Sequence, residues 1–412
     1  MKFEAPRGTQ DVLPSQQPLW ERVIDEAERL CAAYGYRRIT TPLFEDTELF
    51  TRTSGQGSDI VEKEMYTFTD RGDRSLTLRP EGTAPVARAY IEHGLHREPQ
   101  PVKTFFIGPV YRYSAPQRGK YREFWQFNVE AMGSDDPAID AEVIQLFDEL
   151  LRRLEIRGAW LELNSIGDRE CRPAYLERLN TWLDEHEQDL DEDTLAKRRT
   201  SPLRVFDNFE QKPESVRRAL ASAPKIGESL CAACEAHFAA VRRYLDAYGV
   251  AYRLEPTLVR GLDYYTRTTF EFLAEALGAQ LSLSGGGRYD YLIEEIGGPP
   301  TPAVGFASGI ERIVLTLEQQ DVQVPSPEIE VFFAVEDKGA RPEVLAALAE
   351  LRRAGRAADT DYAGRSLKGQ LTQAGRLGAR VTVIAREGGI TVRRAGEKDV
   401  DVDSLDEALK LV

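Results

Sequence analysis

The residues best suited to chemistry lie in Thr104-Phe-Phe-Ile-Gly-Pro-Val-Tyr-Arg112 and, beyond a loop, in Tyr121-Arg-Glu-Phe-Trp-Gln-Phe-Asn-Val-Glu130. On a strand, residues two apart share a face. Phe124, Gln126, Asn128 and Glu130 therefore point one way, and Trp125, Phe127 and Val129 the other. The second set is an ordinary core face. The first places a carboxylate and two amides beside an aromatic ring, with Arg112 entering from the preceding strand; a solvent-facing polar strand is the plainer alternative. The intervening loop, Ser114 to Arg122, carries Arg118, Lys120 and Arg122 around Gly119. Such a loop can follow a phosphate chain or an RNA end, or it can be a solvated hairpin tip. The thiols offer a second chemistry. Cys231-Ala-Ala-Cys234 is a single CxxC, Cys171 would make three thiols, and His237 is a conceivable fourth ligand. One CxxC on an expected helix is more often packing, so no bound metal is expected.

Composition limits the choices. The chain has 412 residues, 42% hydrophobic and 29% charged, enough for two or three cores. No stretch reaches the ~18–20 apolar residues of a membrane helix, so no membrane partner is expected. Met1 to Trp20 has no basic-then-apolar signal pattern. Four scattered cysteines, Cys31, Cys171, Cys231 and Cys234, make no disulfide framework. Together these features predict a reducing, cytoplasmic location. The net charge of -15, from 68 acids against 53 bases, argues against broad nonspecific nucleic-acid binding, though a local basic patch remains compatible with it.

The positioning elements follow from periodicity. Trp20, Val23, Ala27, Leu30 and Tyr34 form one apolar stripe and predict a helix over 19–34. An extended segment, 37–43, contains Pro42. Strands are expected at 75–78, 103–107, 110–114 and 123–131, forming an antiparallel sheet. Residues 168–248 read as charged helices without a glycine-rich site. Strand patterns return at 258–272 and 280–284, and 309–317 is a core helix with Ile310, Ile313, Val314 and Leu317 on one face. The linker 322–328 holds two prolines. After it, a strand at 329–335, helices at 342–353 and 366–377, strands at 381–385 and 390–393 and a helix at 404–411 predict a small α/β domain with a largely parallel sheet.

Strand, loop and strand around Arg112 resemble the second signature motif of class II aminoacyl-tRNA synthetases. Pro42 in its extended setting resembles the first, and Gly305-Phe-Ala-Ser-Gly-Ile-Glu-Arg312 the third. Val259-Arg-Gly-Leu-Asp-Tyr-Tyr-Thr-Arg-Thr-Thr-Phe-Glu271 and Ser284-Gly-Gly-Gly-Arg-Tyr-Asp290 are similar to the histidine-specific signatures of histidyl-tRNA synthetases. Arg7-Gly-Thr-Gln-Asp11, Leu78-Arg-Pro-Glu-Gly-Thr83 and Ala363-Gly-Arg-Ser-Leu-Lys-Gly369 match as well. The resemblance runs nearly end to end and is weakest in the helical middle. It implies an α+β fold: a class II antiparallel sheet with flanking helices, a helical insertion and a C-terminal α/β anticodon-binding domain. In this reading 1–167 and 250–322 form the catalytic core, 168–249 the insertion and 328–412 the anticodon-binding domain, in a homodimer built on the first motif.

The implied reaction is attack of the histidine carboxylate on the α-phosphorus of ATP, then transfer to histidine tRNA. By resemblance, Arg112 and Arg260 are catalytic, gripping the α-phosphate and the histidine carboxylate; Arg312 holds the γ-phosphate end and Phe124 stacks on adenine. Glu81, Thr83 and Gln126 take the α-ammonium, Glu130 and Tyr264 the imidazole, and Tyr265 shapes the wall. Gln117, Arg118 and Arg122 face the tRNA acceptor end. Arg365 and Lys368, with Arg376 and Arg380, are the expected anticodon surface, or simply a solvated helix face. Mg2+ is expected with ATP. The plain alternative for Arg260 is a salt bridge to Asp263, and for Tyr264 and Tyr265 core packing. Gly285 to Gly287 would let backbone approach the ligand. Ser114 and Ala115 stand where the family usually has glutamate and arginine, which leaves the reading of the tRNA 5′ end open. Two alternatives have the same outline: a histidine-binding regulatory subunit of ATP phosphoribosyltransferase, and a class II synthetase for another amino acid. The last domain and the intact arginine and tyrosine signatures argue against the first.

Overall fold

The computed structural model describes residues 3–53, 60–207, 209–280, 282–325 and 329–412. Ser326 to Glu328, the end of the expected linker and the first residue of the expected last domain, lie outside them. The described chain divides into two compact units, Met1–Val324 and Pro325–Val412.

In chain order the first unit contributes strands β1 (Arg37–Arg38), β2 (Phe44–Asp46), β3 (Tyr66–Thr69), β4 (Ser75–Leu78), β5 (Val102–Tyr111), β6 (Glu123–Met132), β7 (Ala159–Ser165), β8 (Arg253–Leu254), β9 (Thr266–Ala274), β10 (Ser282–Arg288) and β11 (Ala303–Gly309). Its principal sheet has eight strands in the order β1-β5-β6-β11-β10-β9-β7-β8. The expected antiparallel pattern holds for the inner six; the two-residue edge strands β1 and β8 pair in parallel. β2, β4 and β3 form a separate small sheet.

The helices are α1 (Gln17–Ala33), α2 (Thr47–Thr53), α3 (Thr83–Glu92), α4 (Pro137–Arg153), α5 (Arg172–Glu185), α6 (Glu192–Thr200), α7 (Glu214–Ala221), α8 (Ala232–Tyr248), α9 (Leu292–Glu295) and α10 (Ile310–Gln319). α4 starts cleanly because Asp136 accepts a hydrogen bond from the Ala138 N–H (2.9 Å) and Pro137 presets the first turn. Its Ile144, Phe147 and Leu150 join Trp20, Val23 and Leu30 of α1 and Ile310, Ile313 and Leu317 of α10 in one core. That core covers one face of the sheet, where Phe127, Val129, Phe270, Phe272 and Phe306 are buried. Phe147 anchors it, with ring centroids 4.9 Å from Phe272 and 5.1 Å from Phe306. Burying each such side chain contributes about 1.5–3 kcal/mol. The opposite sheet face keeps its polar residues.

Three expectations need correction. The strand at 75–78, expected in one antiparallel sheet with those after it, is β4 of the separate small sheet. The strands predicted at 103–107 and 110–114 are one strand, β5, running through Pro109. Opposite Pro109 stands Trp125, whose N–H turns away from β5 to Glu311 Oε1 (2.8 Å). This is a non-hydrogen-bonded pair, so the missing proline N–H leaves the β5–β6 ladder whole. Residues 258–265, expected as strand, precede β9 as a loop. Its carbonyls are held by side chains: Leu258 O accepts from Asn164 Nδ2 (3.0 Å), and Gly261 O accepts from Arg204.

The buried Arg79 joins three segments. Its Nε donates to Pro109 O (2.9 Å), its Nη1 to Thr41 O (2.9 Å) and Pro42 O (3.2 Å), and its carbonyl accepts from the Tyr111 N–H (2.9 Å). Helices α5 to α8 lie within the segment 168–248 expected to be helical, with α5 packed on the sheet's polar side and α8 sending Val241 and Leu245 into the main core.

The second unit has β12 (Val331–Val335), β13 (Ala358–Thr360), β14 (Val381–Arg386), β15 (Gly389–Arg394) and β16 (Val400–Val402), in the order β13-β12-β14-β15-β16. Helices α11 (Arg341–Arg353), α12 (Leu367–Arg376) and α13 (Leu405–Lys410) complete it. The sheet is not largely parallel as expected: only β13, β12 and β14 run parallel. β14 and β15 are joined by Glu387 and Gly388 alone, too short a link for a crossover, so the pair is antiparallel.

Candidate functional site

On the polar face of the large sheet lies a cavity of about 1060 Å³. Arg112, Phe124 and Gln126 reach it from β5–β6, Glu81 and Thr83 from the start of α3, Arg260, Tyr264 and Tyr265 from the loop before β9, and Arg312 from α10. Ten of the residues singled out by sequence line it once Gln117 is included. Glu130 does not: it lies one side chain deeper, 1% exposed, accepting from the Thr83 hydroxyl (2.6 Å) and from Tyr289. Arg118 and Arg122 also lie off the cavity. Arg122 is engaged elsewhere, with its N–H on Gly8 O (2.7 Å) and its guanidinium 3.8 Å over the Tyr113 ring. Arg118 is exposed.

Local structure fixes each cavity group. Glu81 caps α3, its two oxygens accepting from the backbone N–H groups of Thr83 (2.6 Å) and Ala84 (2.8 Å). Gln126 accepts from the Gly82 N–H (3.0 Å). Arg112 donates to Pro80 O (2.7 Å) and lies 5.6 Å from the Phe124 ring centre. Arg260 pairs with Glu271 (3.0 Å), not with Asp263; Asp263 faces Arg204 instead (3.9 Å). Arg312 donates to Gly119 O (3.2 Å) and to Ser282 O. Planar forks held this way stay charged and present fixed donors.

The electrostatics record the convergence. Burial lowers the Arg312 pKa, Arg112 and Arg260 push it the same way, and Glu271 and Glu311 oppose them. Burial also lowers Arg260, but Glu271 and the Tyr265 and Tyr264 phenols outweigh it, so its charge is secured. Burial raises Glu130 to about 8 and Glu311 to about 7. Tyr264 and Tyr265 pack ring to ring at 4.7 Å, with Tyr289 5.7 Å beyond Tyr264.

Gly285 lines the cavity, and the glycine run has a packing role besides the close backbone approach expected of it. A Cβ on Gly285 would overlap the Arg260 guanidinium, one on Gly286 would strike Gly305 O, and one on Gly287 would come 2.5 Å from Thr268 O. These glycines make room for Arg260 and for the neighbouring strands. Sequence reading missed Glu271, Glu311, Tyr121, Arg204 and Asp207, all on the cavity wall. Glu271 and Glu311 were inside quoted motifs, whereas Arg204 and Asp207 come from the insertion, where no pattern marked them.

His237 does not join the three thiols. It is buried, 3.8 Å from Asp140. Asp168 takes its place beside Cys171, Cys231 and Cys234. In the second unit, Arg365 bonds Asp361 (2.6 Å) and Gln373 (2.8 Å), Lys368 is exposed, and Tyr362 stands 62% exposed nearby.

Comparison with known proteins gives the same outline. The family model described as histidyl-tRNA synthetase matches residues 8–313. The histidine–tRNA ligase of Desulforamulus reducens is 49% identical, over 93% of this chain and 91% of its own. That of Caldanaerobacter subterraneus subsp. tengcongensis is 44% identical over the full length of both chains. The solved apo histidyl-tRNA synthetase of S. aureus superposes with a TM-score of 0.83 at 36% identity, covering 100% of this chain and 99% of that one.

Proposed function

The chain belongs to the histidyl-tRNA synthetase family, and from that premise we propose that the arginine-lined cavity is where histidine meets ATP. The protein uses ATP to activate L-histidine as its adenylate and transfers the histidyl group to the 3′ end of histidine tRNA. A carboxylate oxygen of histidine bonds to the α-phosphorus and pyrophosphate leaves. A ribose hydroxyl of the tRNA then attacks the activated carbonyl and AMP leaves. The first step brings an anion to a polyanion, so it needs fixed cations and alignment more than a strong base.

In this reading Arg112 and Arg260 clamp the α-phosphate and the carboxylate, Arg312 holds the γ-phosphate end, and Phe124 stacks on adenine. Glu81, Thr83 and Gln126 take the ammonium. The imidazole falls to Tyr264 and Glu130, the latter acting from behind Thr83, with Tyr265 as wall. The observation that carries the reading is that Arg112, Arg260 and Arg312 line one cavity with Phe124 and the tyrosine pair.

The triphosphate carries more charge than three arginines offset, which favours Mg2+ as its companion. Glu271 and Glu311 are suitable oxygen ligands: both line the cavity, and Glu311 Oε2 is buried with no hydrogen-bond partner among the described residues. Bound there, the ion would neutralise phosphate charge.

Gln117, Arg118 and Arg122 are assigned to the acceptor end, and Arg365 and Lys368 to the anticodon. A homodimer is supported by Leu43, Phe44 and Phe68, which are exposed beside Pro42. A cytoplasmic location fits four free cysteines and the lack, among the described residues, of any helix long and apolar enough to cross a membrane. Histidine-dependent ATP–pyrophosphate exchange tests the assignment. A folded, histidine-binding protein without exchange would favour the regulatory reading instead.

A further inference from the structure

At the base of the helical insertion the chain brings together two short motifs 63 positions apart: Asp168-x-x-Cys171 and Cys231-x-x-Cys234. We propose that these four side chains form a zinc site that fastens the two ends of the insertion together.

The geometry is that of a tetrahedral shell. One ligand atom from each residue lies within 4.8 Å of the others. A zinc bound by three thiolates and a carboxylate has S–S edges of about 3.8 Å and S–O edges of about 3.6 Å. Here Cys171 Sγ is 3.7 Å from Cys234 Sγ, and Asp168 Oδ1 is 3.4 Å from Cys171 Sγ and 4.0 Å from Cys231 Sγ. Asp168, Cys171 and Cys234 are buried and Cys231 is half-buried, which leaves an entry path. Thiolate-rich tetrahedral sites select zinc.

The surroundings suit such an ion. The turn 167–171 sends the Asp168 N–H toward Cys171 Sγ (3.3 Å), and Gly167 (φ +62°) keeps clear of that sulfur, since a Cβ there would lie 2.7 Å from it. Cys231 occupies the N-cap position of α8 and Cys234 its first turn, where the helix dipole favours thiolate. Three thiolates and a carboxylate around Zn2+ carry two net negative charges. Arg267 answers them: its Nη2 lies 3.4 Å from Asp168 Oδ2. Arg267 holds a positive φ of 48° and exchanges two backbone hydrogen bonds, both 2.7 Å, with Gly167 O and the Ile166 N–H. Zinc entry releases three thiol protons to solvent, with no redox step.

Metal analysis of full-length protein purified without chelator tests this. About one zinc per chain is expected, together with a thiolate-to-metal charge-transfer band when chelator-stripped protein takes up Co2+. Cys171→Ser should abolish the band; if that variant does not fold, Cys231→Ser, at the half-exposed helix start, reads the same loss. Asp168→Cys should keep the metal and bind it more tightly. Arg267→Ala should weaken affinity about 10–100-fold, as loss of an outer partner does. Reduced protein that holds no zinc and gives no Co2+ band would overturn the proposal. So would a Cys171–Cys234 disulfide in freshly purified protein, or metal binding indifferent to Cys231→Ser.

Discussion

Arginines serve both units of the molecule under different conditions. In the cavity, Arg260 keeps 23% of its side chain exposed, is paired with Glu271, and has Gly285 on the neighbouring strand to admit it. In the C-terminal unit, Arg365 is 45% exposed and bonds the buried Asp361 and the side chain of Gln373. The first arrangement suits a small charged ligand, whose atoms must be met by donors already in place. The second suits a long polyanion, for which many loosely held surface contacts add up. Under the proposed function, chemistry would fall to the ion-paired arginine of the cavity and tRNA recognition to the exposed arginine of the C-terminal unit.

Removing the interior arginine tests this division most severely. Arg260→Ala should lower the kcat of histidine-dependent pyrophosphate exchange by about 10²–10³-fold, as loss of one oxyanion-type donor does, with the thermal midpoint little changed. Near-normal exchange would end the distinction. Gly285→Ala removes no functional group, yet its methyl would displace the Arg260 guanidinium. Exchange should fall about a hundredfold, the size of a 1 Å misplacement; an unaffected rate would mean that Arg260 need not be preset.

Deleting residues 326–412 should raise KM for tRNA by about tenfold or more, equivalent to at least ~1.4 kcal/mol, and leave KM for ATP nearly unchanged. Parallel increases in both constants would refute the division. A separate effect, outside the comparison of activities, is on stability against pH. Burial lifts Glu130 to about 8, so the folded state retains a proton that the unfolded chain releases above about 4.5. Glu130 therefore makes stability fall as pH rises from about 4.5 to 8, by up to about 1.4 kcal/mol per unit. Asp361 has the opposite sign. Burial raises it, but the Arg365 hydrogen bonds prevail and hold it below the usual range, so its contribution is lost only as pH falls through that lowered value. Glu130→Gln should flatten the slope between pH 5 and 8 in denaturant titrations; an unchanged slope would show that Glu130 is ionised in its pocket.

Much of the site was legible because side-chain alternation on β6 is a local property. Phe127 and Val129 entered the core, while Gln126, Asn128 and Glu130 took the other face. What alternation cannot give is depth. Glu130 was placed on the correct face but lies behind Thr83, and only the packing of α3 decides that. Helix α4 was missed although Ile139, Val143, Phe147 and Leu150 repeat at helical spacing behind Asp136-Pro137. Arg204 and Asp207 could not be found, because their meeting with the Arg260 loop depends on how the insertion folds back. The same holds for Asp168, which no spacing rule pairs with a CxxC 63 positions downstream.

The buried Arg79 has mechanical consequences. Its guanidinium grips the carbonyls of Thr41 and Pro42, and its own carbonyl holds the Tyr111 N–H, one residue before Arg112. The exposed Leu43–Phe44 edge and the strand end that carries Arg112 are therefore geared to one axle. A push on that edge must either break several buried hydrogen bonds or turn the backbone that aims Arg112.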